Sequence, residues 1–84
     1  MTEDNYNKIK KFVLSLPRDK WIIIDSIPKL TPKSRELFIE GCKLMIESQD
    51  YNGETMYLSF SNDYNQIRLF EDIKTFSYYS HFKN

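Results

Sequence analysis

At 84 residues, 40% of them hydrophobic and 15% aromatic, the chain is one domain with enough bulky material for a compact core, which excludes disorder as the default. A single cysteine, Cys42, excludes an intrachain disulfide; the start is polar and acidic and no apolar run nears the roughly eighteen residues of a membrane span, so neither a signal peptide nor a membrane partner is expected and a cytoplasmic location is. Net charge is zero but unevenly placed, with eight basic against four acidic side chains in residues 1–35 and four against eight in residues 36–84, as for a basic face meeting nucleic acid or an acidic face meeting a basic protein.

Residues 1–16 read as a first helix. Tyr6, Ile9, Phe12, Val13 and Leu16 recur at three- and four-residue steps and share one face, with Lys8 and Lys11 pointing away. Thr2 is the expected N-cap, Glu3 and Asp4 sit where the helix dipole favours negative charge, and Pro17 ends the element. Residues 21–24, Trp21 followed by three isoleucines, form either a short buried strand or, with Asp25 and Ser26, the beginning of a helical turn. Pro28 and Pro32 punctuate the chain around Leu30. Thr31-Pro32 then pairs an N-cap with proline at the first helical position and opens a second, longer helix over residues 32–48.

That helix carries Leu37, Phe38, Cys42, Met45 and Ile46 on one side and Glu36, Glu40, Lys43 and Glu47 on the other. A rival reading makes residues 44–51 a strand, because Asn52-Gly53 is a hairpin-turn pair; the helical period is preferred. Residues 54–73 form a hairpin with Met56, Leu58, Phe60, Ile67, Leu69 and Ile73 inward, Thr55, Tyr57 and Ser59 outward, and a polar turn over residues 61–65. The tail, residues 74–84, holds Phe76, Tyr78, Tyr79, His81 and Phe82 without a clear period. Phe12, Trp21, Phe38, Met45, Leu58 and Leu69, drawn from every element, are expected to share one core. Helix, short strand or turn, long helix and hairpin in this order predict an α+β fold: a small winged helix-turn-helix-like domain of two to three helices followed by an antiparallel hairpin, or wing.

Enzyme chemistry lacks its parts. His81 stands near the C-terminus with no partner for acid–base or triad work, Cys42 falls on the apolar side of its helix, and one Cys with one distant His is no metal cluster. Gly41 and Gly53 are too far apart for a phosphate-cradling loop, so a non-enzymatic protein without cofactor or metal is expected.

Two kinds of partner remain: nucleic acid, single-stranded DNA favoured, and as the alternative a basic protein surface. For nucleic acid, the acidic outer face of the second helix disfavours reading a duplex, whereas Lys8, Lys11, Lys33 and Arg35 with Tyr57, Tyr64 and Arg68 on the hairpin interleave cations and rings as single strands require. For Tyr57 and Arg68 the preferred reading is an ordinary cross-strand pair on the solvent face. For protein, Glu36, Glu40, Glu47, Asp50 and Glu54 would form an acidic face for a basic surface, with tail aromatics as anchors. A homodimer is left open.

Leu14-Ser15-Leu16-Pro17, the aromatic-aliphatic run at Trp21, Arg35 ahead of Gly41, and Ser61-Asn62 followed by Gln66 and Arg68 resemble the small winged-helix single-stranded-DNA-binding proteins of Gram-positive phages and mobile genetic elements, over residues 9–70. The resemblance implies a replication or regulatory accessory protein, with Lys33, Arg35, Tyr64 and Arg68 in the corresponding regions. The overall appearance is also similar to small phage proteins that block host nucleases or defence complexes, anti-CRISPR-type inhibitors among them, and that likeness implies a protein target met through the acidic face.

Overall fold

Thr2 caps the first helix as its hydroxyl requires, accepting the Asn5 N–H at 3.2 Å, and α1 runs over Glu3–Leu14. The computed structural model describes residues 1–28 and 31–71; expectations for Leu30, Ile73 and the tail, His81 included, lie outside them. α1 stops two residues short of the expected bound because Arg18 folds back and donates to the carbonyls of Leu14 (3.0 Å) and Leu16 (2.8 Å), closing the helix before Pro17.

The isoleucine run is part strand and part helical turn, but the strand is not buried as expected: Ile22 is half-buried, Ile23 is exposed, and only Ile24, in the turn, enters the core. Ile22–Ile23 is a two-residue strand, β1, and Ile24–Ser26 winds straight into a 3₁₀ turn. Ile24 is still tied to the hairpin, its N–H donating to the carbonyl of Asn65 (2.9 Å), where the turn begins.

α2 spans Pro32–Ser48 behind a reciprocal cap: Ser34 N–H donates to the Thr31 hydroxyl (3.2 Å) and Thr31 N–H to the Ser34 hydroxyl (2.7 Å). It ends on Gln49 in the left-handed region, φ 52°. The strand alternative for residues 44–51 is not found. Asn52 and Gly53 do turn with positive φ, 55° and 77°, but they lead from a helix into a strand rather than between two strands.

β2, Tyr57–Phe60, and β3, Gln66–Phe70, pair antiparallel with Leu58 opposite Leu69, Ser59 opposite Arg68 and Tyr57 opposite Phe70. Tyr57 and Arg68 are therefore not partners across the ladder. β1 pairs with the other side of β3, giving a three-stranded antiparallel sheet in the order β1-β3-β2. The outer edge of β2 is partly closed where Leu58 N–H donates to the Tyr51 hydroxyl at 3.2 Å.

α1 packs on α2, and α2 packs on one sheet face, so that Val13, Ile24, Phe38, Cys42, Met45, Leu58, Ile67 and Leu69 form one core. Of the six residues expected there, Phe38, Met45, Leu58 and Leu69 are buried. Phe12 is not: it is 39% exposed and meets only the edge of Phe38, with ring centroids 5.9 Å apart. Trp21 is half-buried beside Phe70 (6.3 Å), and Phe70, although it alternates with Leu69, is itself fully buried.

Candidate functional site

The outward face of α2 is the most uniform charged surface among the described residues. Glu36, Glu40 and Glu47 are all exposed, because they lie opposite the stripe of Phe38, Cys42 and Met45 that enters the core. Glu40 stands 3.9 Å from the Met1 amino group; Glu36 and Glu47 carry no ion pair among the described residues. The lysine on this face, Lys43, is drawn aside, its ammonium 5.2 Å from the Tyr64 ring centroid. Glu54 is exposed in the turn beyond the helix.

Asp50 behaves differently from the rest of the acidic set. Its carboxylate accepts from the Tyr6 hydroxyl (2.7 Å) and from Lys10 Nζ (3.1 Å), clasping α1 to the exit of α2. These donors, Tyr6 first and Lys10 second, hold its carboxyl below the usual carboxylate value, while burial and then the bond to Asp50 push the Tyr6 phenol up. Its charge is consumed inside the fold.

The basic set is dispersed, and its two arginines are engaged. Arg35 Nε donates to Asp25 at 2.7 Å and its terminal nitrogen to Asn65 Oδ1 at 3.3 Å, tying the start of α2 to the 3₁₀ turn and the hairpin tip. Arg68 does point to the outer face of the sheet, as alternation requires, but its side chain is only 18% exposed. It lies over the rings of Phe70 (4.6 Å) and Trp21 (5.9 Å), with Asp19 at 4.0 Å. Arg35 and Arg68, the arginines of the nucleic-acid set, thus each have partners within the chain. Lys8 pairs with Asp4 one helical turn away (3.3 Å), and Lys11 and Lys33 are exposed. Tyr57 is half-buried near Tyr51, their centroids 6.2 Å apart. Tyr64 is the most accessible ring of the set, 51% exposed at φ 60° and 5.1 Å from Phe60.

No family model, curated protein or solved structure matches the chain. The site therefore has to be read from its own chemistry. Burial raises the Cys42 thiol to about 12, which leaves it protonated and unreactive at neutral pH. Among the described residues no group of three His, Cys, Asp or Glu side chains could hold a metal, and no helix is long and apolar enough to cross a membrane.

One feature escaped the sequence reading. Between the first turn of α1 and the last turns of α2 lies an open groove of about 600 Å³, lined chiefly by Met1, Glu3, Tyr6, Leu44, Glu47 and Asp50. Leu44 is 39% exposed within it. A signal existed in the sequence, since Leu44 falls between Glu40 and Glu47 at steps of four and three and so must share their outward face.

Proposed function

We propose that this chain is a non-enzymatic protein-binding module of winged-helix-like build, acting as an inhibitor or partner subunit that docks the acidic face of α2 onto a basic protein surface of the kind that otherwise holds nucleic acid. The observation that carries this reading is the fate of the charges: α2 turns Glu36, Glu40 and Glu47 to solvent, while Arg35 and Arg68 are held by Asp25 and Asn65, and by Asp19 and two rings. Like charges on that helix repel phosphates and steer a basic protein toward it. The winged-helix reading rests on the sheet order, with the hairpin following α2 and its return strand pairing with the strand that precedes it.

Single-stranded nucleic acid is the second reading, and Tyr64 favours it: an accessible ring beside the Lys43 ammonium at a hairpin tip can stack a base and meet a phosphate. One variant separates the two. Wild-type protein is expected to bind a labelled hexa-arginine peptide at low salt and to leave a labelled single-stranded oligonucleotide free. Glu40→Lys with Glu47→Lys should abolish peptide binding, chiefly by slowing association, and should let the oligonucleotide bind. Wild-type binding of the oligonucleotide with a log–log salt slope near −2, about three phosphates neutralised, would transfer the conclusion to nucleic acid.

A further inference from the structure

We infer that the groove between α1 and α2 is the seat of a single arginine or lysine side chain presented by the protein partner; this rests on the protein-binding reading above and locates its anchor. Two chemistries meet in the groove. Met1 and Leu44, 42% and 39% exposed, offer aliphatic surface, and Glu3 and Glu47 offer carboxylates that carry no ion pair among the described residues. A side chain with a long apolar stem and a cationic head satisfies both at once, because the stem covers the leucine while the head reaches the carboxylates.

Other occupants fit worse. A phosphate or carboxylate would be repelled by Glu3 and Glu47, and a purely apolar side chain would strip water from them without supplying a partner. Two cations of the chain itself border the groove: the Met1 ammonium, 3.9 Å from Glu40, and Lys10 Nζ, 5.8 Å from the Tyr6 ring centroid and 3.1 Å from Asp50. That lysine occupies Asp50, which leaves Glu47 and Glu3 for the incoming head group. A second apolar cleft among the described residues, around Phe12, Ile27 and Phe38, is lined by Lys8 and lacks this complementarity to a cation.

The test is a nitrogen–proton NMR titration of the whole chain with the acetylated hexa-arginine peptide. Amide shifts are expected to be largest at Leu44, Glu47 and Tyr6. Leu44→Ser and Glu47→Gln should each weaken binding about fivefold, whereas Glu36→Gln, on the same helix but outside the groove, should weaken it less than twofold. All three positions are exposed, and unchanged thermal melts establish that the fold is retained. Added salt should shrink the effect of Glu47→Gln but not that of Leu44→Ser, since only the first is electrostatic. If Leu44→Ser leaves affinity unchanged while Glu36→Gln lowers it, the groove inference is overturned and the acidic-face reading survives. If the peptide shifts no α2 residue at low salt, both fail.

Discussion

Gly41 lets α2 pack tightly against Ile9 of α1. A Cβ built there would lie 2.8 Å from both Cδ1 and Cγ2 of Ile9, nearer than two carbons tolerate, so the absent side chain sets the distance between α1 and α2. Gly41→Ala should cost about 1–3 kcal/mol in a urea melt, although alanine is the better helix former, because overpacking outweighs propensity. In a double-mutant cycle with Ile9→Ala the double variant should lose less than the sum of the two single losses. Phe38 presents the opposite case. It is 4% exposed within the core, and Phe38→Ala should remove about 3–5 kcal/mol, a large share of the stability expected of a domain this small. A loss below about 1 kcal/mol in the same melt would mean that the α2 core face is misassigned.

Among the elements, those governed by neighbours in sequence were legible and those governed by distant partners were not. The caps at Thr2 and Thr31 and the burial of Phe38, Cys42 and Met45 follow from local spacing, and they are found where expected. Phe12 keeps the period of Ile9 and Val13, but period alone does not mark where an apolar stripe ends, and Phe12 lies on its border. Alternation correctly turned Arg68 outward without revealing that Phe70 and Trp21 would shelter it. Arg35, Asp25 and Asn65 meet across up to 30 residues, a join no local pattern encodes. The same holds for the clasp of Tyr6, Lys10 and Asp50. Since its partners lower the Asp50 pKa in the folded chain, the clasp stabilises fully above the ordinary carboxylate range and fades as pH falls through that range to the lowered value. The melting temperatures of wild type and Asp50→Asn should therefore differ most near neutral pH and converge in acid; a gap that stays constant down to strongly acidic pH would show that the charge of Asp50 plays no part.

On the scale of the whole molecule, the central strand β3 joins the 3₁₀ turn, the hairpin and the helices into one unit, while among the described residues β2 is an edge of the sheet. It is only four residues long, and one of its backbone donors, Leu58 N–H, is taken by the Tyr51 hydroxyl. That phenol is 3% exposed, so a single buried oxygen stands where the strand of another molecule would have to begin its ladder. Tyr51→Phe keeps the ring and frees the donor. At high concentration the variant should self-associate through sheet extension, visible as a rising sedimentation coefficient and slow growth of thioflavin fluorescence, while the parent remains constant. One buried hydroxyl, carried by a residue outside the sheet, thus covers a backbone donor on an otherwise open strand edge.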